Sequence, residues 1–462
     1  MHKARRLYAL LGVLFAVCAA AFAVSRYEEK KEQIKITGDV ILEIPADSVT
    51  ALSWTNESGS YSFTRTDGFW TYDADAAFPV DEEKINALLA PFSSFSAAFT
   101  IENAEDSVYG LDEPVCTITV TAGEESYTVR LGDISKMDEL RYVSLGDGNA
   151  YLASHDPLEE FDAALRDTVR NDTVPDFDTA ETIVFAGSEN YTIIRDAERG
   201  SICASDVYFA GDLPLDTTKV EAFLTAVRSV SLTNYVSYNV TDEELALFGL
   251  DEPELSVELA YTAEEDGSAG TLVLQLARNP EDAEAYDSAV ENGDEELPGV
   301  SCYVRLGGSP LVYEITQSAY ESLTGVSQDK LRHQKLFTAD FDTATSVDVT
   351  LGGETYTFVR TASDETDGED GWTFGEEEID ISGLRSALRA VAASSFTTDE
   401  PDGAEEISLT VHFDSETFPS FTLTLYRHDG TDCLAAVDGT PAAFVSRSKT
   451  VDLIEAVNKL TL

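Results

Sequence analysis

Three stretches of the chain carry the same apolar stripe. Ile85, Leu88, Leu89 and Phe92 fall at i, i+3, i+4 and i+7, as do Val220, Phe223, Leu224 and Val227, and again Leu384, Ala387, Leu388 and Val391. That spacing sets four side chains on one face of a helix. Val80-Asp81, Leu215-Asp216 and Ile379-Asp380 precede the three stripes. Aspartate is a favoured N-cap, and an apolar residue before it can staple against the first turn. The pattern predicts three related helices with the same start.

Strand signals repeat in register around them. Upstream, alternating apolar residues run over 49–54 and 61–65, over 182–185 and 191–195, and over 346–349 and 356–360. Asp176-Phe-Asp-Thr-Ala180 returns as Asp340-Phe-Asp-Thr-Ala344, with Pro45-Ala-Asp47 at that place in the first unit. Gly68-Phe-Trp-Thr-Tyr72 matches Gly371-Trp-Thr-Phe374, and Ile202 is read as the second unit's substitute for tryptophan. Downstream, further strands are predicted at 127–131, 142–145 and 151–154, with counterparts at 271–276, 303–306 and 313–316, and at 421–425, 434–437 and 444–446. An amphipathic helix closes each unit, most clearly at 451–460. Each unit thus reads as three strands, a helix, a short turn, four strands and a helix.

Between helix and rear strands lies a repeated hexapeptide. Tyr109, Gly110, Leu111, Asp112, Glu113 and Pro114 return as Phe248, Gly249, Leu250, Asp251, Glu252 and Pro253. Before the second copy, Thr241-Asp-Glu-Glu244 is a capping box. Gly249 then falls where a left-handed residue ends a helix, Leu250 packs back on the last turn, and Pro253 prevents resumption. The motif is a helix stop that launches a strand, over 115–120 in one copy and 255–259 in the other. Caps and breakers account for every position, so the ten residues Tyr109, Gly110, Leu111, Asp112, Pro114, Phe248, Gly249, Leu250, Asp251 and Pro253 are expected to be structural. The third unit keeps only Asp399-Glu-Pro401.

The predicted class is α+β, with an N-terminal transmembrane helix followed by three related modules of mostly antiparallel sheet, helices packed on one face. Module boundaries are expected at 32–168, 169–330 and 331–462, after an N-terminal segment 1–31. Two polar stretches, 278–298 and 361–371, read as solvated loops.

Composition changes the picture mainly through charge. The chain has 462 residues, with 30 Lys and Arg against 86 Asp and Glu, a net charge of −56. The first 31 residues hold six basic and two acidic side chains, so the remainder is more acidic still. Such a body repels nucleic acid and anionic lipid. The apolar run that opens at Leu7 and closes at Val24 follows Met-His-Lys-Ala-Arg-Arg. Its length suits a bilayer core, and the leading charges predict a cytoplasmic N-terminus with the rest exported. Cleavage after Ala21-Phe-Ala23 is the rival reading; Val17 before Cys18 is a poor match to a lipoprotein site.

The sequence carries few signs of chemistry. Cys116, Cys203, Cys302 and Cys433 are scattered, with no CxxC and no histidine nearby at metal-ligand spacing, so no metal site is predicted. His2, His155, His333, His412 and His428 fall in different parts of the chain. The run from Asp364 to Asp370 is rich in oxygen ligands but lacks calcium-loop spacing. No nucleophile elbow or phosphate-cradling loop appears. Trp54, Trp70 and Trp372 recur at fixed places in the units and are expected in the core, not on a sugar platform. No catalytic residue and no cofactor is predicted.

The aromatic-Gly-Leu-Asp-x-Pro motif at Tyr109 to Pro114 and Phe248 to Pro253 resembles that of the domain of unknown function 4340 family. The resemblance implies a membrane-anchored extracytoplasmic protein, associated with gliding-motility-type ABC transporters. The expected role is a non-enzymatic accessory protein beside such a transporter. A ligand-binding module for envelope glycans or small solutes is the alternative, and a hydrolase has the least support.

Overall fold

The computed structural model describes residues 38–361 and 371–461. The expected membrane anchor and most of the 361–371 loop, including the oxygen-rich run, lie outside the described residues. Among the described residues no helix is long and apolar enough to cross a membrane. Contacts divide them into two compact units, one reaching to Asp172 and including Tyr235–Val240, the other running over Thr173–Asn234 and from Thr241 onward.

Three nine-stranded antiparallel sheets make up the fold. In the first, Phe69–Tyr72, Gly59–Thr66, Val49–Asn56, Cys116–Ala122, Glu125–Ile134, Arg141–Ser144 and Ala150–Ala153 are successive neighbours. The second places Tyr208–Ala210, Tyr191–Arg195, Phe177–Gly187, Leu255–Ala263, Ala269–Arg278, Cys302–Leu306 and Val312–Ile315 in the same order. The third repeats it with Gly371–Phe374, Glu354–Thr361, Ala344–Leu351, Glu405–Phe413, Ser420–Arg427, Asp432–Val437 and Thr440–Ser446. One topology, written three times, is the strongest sign of a shared folding recipe. The strand that follows the striped helix, Phe95–Ile101 or Ala393–Phe396, returns to the far side of its sheet, where Ala393–Phe396 is the edge and Phe95–Ile101 is covered by one further strand, Asp39–Leu42. It was not expected: alanine, serine and threonine dominate these segments, and their alternation is weak.

The three stripes all face a sheet. All four of Ile85, Leu88, Leu89 and Phe92, all four of Val220, Phe223, Leu224 and Val227, and Leu384, Leu388 and Val391 are buried. Asp81 caps through Glu83 N and Lys84 N, and Asp216 through Thr218 N. In the third unit Asp380 accepts from Ser382 N at 2.9 Å, but the residue at the cap itself is Ile381. The first helix is shorter than its stripe predicts: Pro91 turns its end into a 3-10 segment, Ala90–Ser94, which carries Phe92. Two lysines add a repeated tie. Lys84 Nζ donates to Val169 O at 2.8 Å, and Lys219 Nζ to Arg332 O at 2.7 Å, where the chain leaves each unit.

The hexapeptide closes a Schellman turn in both copies. Leu111 N reaches Asp106 O at 3.0 Å, and Leu250 N reaches Leu245 O at 2.8 Å. Gly110 and Gly249 have φ of +68° and +71°, and Leu111 and Leu250 are buried. Both arms of the capping box at Thr241 and Glu244 are formed.

Two expectations are corrected. Residues 278–298 are not simply a loop: Pro280–Asn292 is a helix, capped by Asn279 and stopped by left-handed Gly293. Its only buried residue is Ala289, so no apolar stripe announced it. Ile202 is not the second unit's tryptophan either. Trp70 pairs with Arg65, Trp372 with Arg360, and Tyr208 with Arg195. Tyr208 is therefore the counterpart, and residues 196–207 are an insertion. All three tryptophans are buried, with Trp54 stacked on Phe63 at 5.5 Å.

Candidate functional site

This long connection over 196–207, where the first unit has only 66–69 and the third has 361–371, builds the site. It is held over the third unit's core. Gly200 lies so close to the Thr417 carbonyl that an added Cβ would stand 2.6 Å from its oxygen, and Ile202 packs on the third unit's apolar cluster. Within it, Asp206 N donates to Cys203 O at 2.9 Å, a tight turn that puts both side chains on one side. Ser201 Oγ donates to Asp206 Oδ2 at 3.1 Å.

His333 comes from the connection between the second and third units. Its Nε2 lies 2.9 and 3.0 Å from the two oxygens of Asp206, whose side chain is 1% exposed. Its Nδ1 faces Asp216 Oδ2 at 3.5 Å, while the other oxygen of Asp216 caps the helix Thr217–Arg228. The Cys203 thiol completes the group: its sulfur, an Asp206 oxygen and a His333 nitrogen all lie within 4.8 Å of one another. Both ring nitrogens of His333 thus face carboxylates, and neither is placed to take a proton from Ser201 or Cys203. The arrangement does not form a nucleophile–base pair.

Ser201 and His333 also line a cavity of about 590 Å³, within the size of small-ligand pockets. Its apolar wall includes Phe209, Phe396, Phe418 and Phe421. Three cations join them, Arg199, Arg332 and Lys335, against two acids, Asp212 and Asp438. Arg199 is fully engaged: it stacks on Phe209 and donates to Gly211 O and Asp212 Oδ1 at 2.8 Å each. Arg332 is not. Its side chain is 16% exposed and lies over the Phe396 ring, yet its polar contacts are long, 3.3 Å to Asp329 and 3.5 Å to Ala442 O. Burial holds its pKa below the usual guanidinium value, against the pull of Asp329. The buried Thr338 hydroxyl on the same wall has no hydrogen-bond partner. A smaller hollow of about 300 Å³ has its one cation, Arg278, already bonded to Glu254 and Asp287.

The ten motif residues lie elsewhere, in the two helix stops. Tyr109 packs on Tyr142 at 4.7 Å and Phe248 on Tyr303 at 4.8 Å, while Asp112 and Asp251 are exposed and Pro114 and Pro253 half-buried. The other described histidines pair with acids close by: His155 with Glu160, His412 with Asp348, and His428, at 3.9 Å, with Asp402. Cys116, Cys302 and Cys433 are buried free thiols. No histidine stands near Cys203 in the sequence, and the fold brings His333 to it. Asp206 and His333 are 127 residues apart, so spacing along the chain held no sign of the cluster.

A family model described as "Domain of unknown function (DUF4340)" matches residues 70–202 and 207–409. The gap between the two matched segments, 203–206, falls inside the insertion. No curated protein matches the chain.

Proposed function

We propose, from the premise that this chain belongs to the domain of unknown function 4340 family, that it is a non-enzymatic binding protein whose cleft takes a small amphiphilic anion. It would be anchored through the run from Leu7 to Val24, with its modules outside the cytoplasm. An accessory role beside an ABC-type transport system, which the family resemblance implies, is part of the same proposal. The cleft would then be where solute is held for the transporter.

The observation that carries the reading is Arg332. A guanidinium has five donors, and leaving a buried charge under-paired is costly. Here it lies against an aromatic wall in a chain of charge −56, which otherwise repels anions. An anionic head on Arg332 and Lys335, with an apolar body along Phe396 and Phe421, matches both halves of the cleft. The alternative of a glycan ligand has less support, because Trp54, Trp70 and Trp372 are all in the core.

Dodecanoate, with uncharged dodecanol as control, tests this on the full chain in mild detergent. At a hundredfold excess over Kd, ligand binding adds about 2.7 kcal/mol, which should raise Tm by roughly 3–5 °C. Equal shifts from both compounds would point to non-specific apolar binding and defeat the reading. Recovery of no transporter subunit on co-purification, across several detergents, would remove the transporter part of it.

A further inference from the structure

We infer that Cys203, Asp206 and His333 form a binding site for one divalent transition-metal ion of the zinc class. The donor set is a thiolate, a carboxylate and an imidazole, the borderline-soft mixture that zinc prefers over calcium or magnesium. Two of the donors come from one turn, three residues apart, fixed by the bond from Asp206 N to Cys203 O. The third arrives from a distant segment, as is common where a metal ties two parts of a fold together.

The outer shell is the independent observation. A metal-bound histidine almost always gives its other ring N–H to a carboxylate, which sets the tautomer and aims the free nitrogen. Asp216 Oδ2, 3.5 Å from His333 Nδ1, stands where that partner belongs, and Nε2 points at Asp206. Asp206 is held in turn by Ser201 Oγ, and Ser205 Oγ lies 3.1 Å from the Cys203 sulfur. Zinc bonds of about 2.0–2.3 Å place neighbouring donors roughly 3.3–3.6 Å apart. The Asp206–His333 pair, at 2.9–3.0 Å, would open by a few tenths of an ångström, and the Cys203 sulfur, within 4.8 Å of both, would close by at most about 1 Å, which rotation of its half-exposed side chain supplies. A divalent ion would also neutralise the thiolate and the buried Asp206 together, while the charge of Asp216 stays with the His333 ring N–H and its helix cap. Ser201 and His333 face the cleft, so a fourth position is open to water or to a bound anion.

The site does not depend on the cleft having an amphiphilic ligand, and its test uses metal alone. Full chain stripped with chelator is titrated with Co²⁺ and Zn²⁺. One equivalent of Co²⁺ should give a thiolate-to-cobalt charge-transfer band, which one equivalent of Zn²⁺ displaces. Cys203→Ser should abolish the band while circular dichroism stays unchanged, and Cys18→Ser should leave it intact. Asp216→Asn, which keeps the helix cap, should weaken metal binding roughly 10–100-fold. The inference is overturned if no stoichiometric ion binds, if Cys203→Ser binds as tightly as wild type, or if the band follows Cys18. His333 would then be a bridge between Asp206 and Asp216 and nothing more.

Discussion

The guanidinium carbon of Arg332 lies 3.7 Å from the centre of the Phe396 ring, in a cavity wall and with only long polar contacts. Face-on stacking of this kind supports a charge that is otherwise poorly paired. Arg332→Met keeps the stem and removes the charge. Replacing an under-paired buried charge by an apolar group is commonly neutral or stabilising. The unliganded variant should therefore unfold at the same denaturant concentration as wild type or higher, by up to about 2 kcal/mol. A clear loss of stability would mean the arginine is a structural tie.

The helix stops carry a second prediction. Gly249 and Gly267 have nearly the same φ, +71° and +69°. A Cβ on Gly249 would stand 2.7 Å from Arg278 O, whereas one on Gly267 meets nothing within 4 Å. Gly267→Ala should cost only the left-handed penalty, about 1–2 kcal/mol. Gly249→Ala adds overpacking and should cost roughly 2–5 kcal/mol in urea denaturation. Equal losses would show that the backbone gives way at the stop.

Leu388 is fully buried in the third stripe and Leu247 is mostly exposed on its helix. Leu388→Ala should destabilise by roughly 2–5 kcal/mol, as should Leu224→Ala in the second stripe. Leu247→Ala should fall within about 0.5 kcal/mol of wild type. Thermal or urea unfolding of the three variants decides it.

These two cases mark what the sequence could disclose. Periodicity and breaker residues were enough for the stripes at Ile85, Val220 and Leu384 and for the turns at Gly110 and Gly249, because each is a local rule. The helix Pro280–Asn292 escaped because it buries almost nothing, although Asn279-Pro280-Glu281 was a legible cap. Tyr208 was missed as the partner of Trp70 and Trp372 because an insertion shifted the frame. The cluster at Cys203, Asp206 and His333 was illegible for a different reason: its members meet only through tertiary packing.

Thiol chemistry should follow burial. Burial pushes the Cys116 thiol up to about 12 and Cys302 up to about 11, and it raises Cys433 as well. Cys203 is the half-exposed one. Among these four, only Cys203 should react quickly with a disulfide reagent in native, metal-free protein at mildly alkaline pH, and all four should react in denaturant. Peptide mapping of the labelled chain checks this.

Acid should act in part through Asp348. Burial raises its pKa, but bonds from Thr357 and His412 outweigh that and leave it below the usual carboxylate value. A carboxyl with a lowered folded pKa contributes stability above its unfolded pKa, and that contribution is lost as pH falls through the folded value. Asp348→Asn should thus lower Tm at neutral pH, and the gap to wild type should close below about pH 4. A gap that stays constant into acid would contradict the assignment.

The central claim is that the cleft binds an anion with an apolar body through Arg332. Titration calorimetry of dodecanoate into the full chain tests it most directly, comparing wild type with Arg332→Met and with Phe396→Ala. The account predicts one site per chain, an affinity at least about tenfold weaker in either variant, and no comparable heat from dodecanol. Wild-type and Arg332→Met chains that bind dodecanoate equally, or a wild type that binds none, would contradict it.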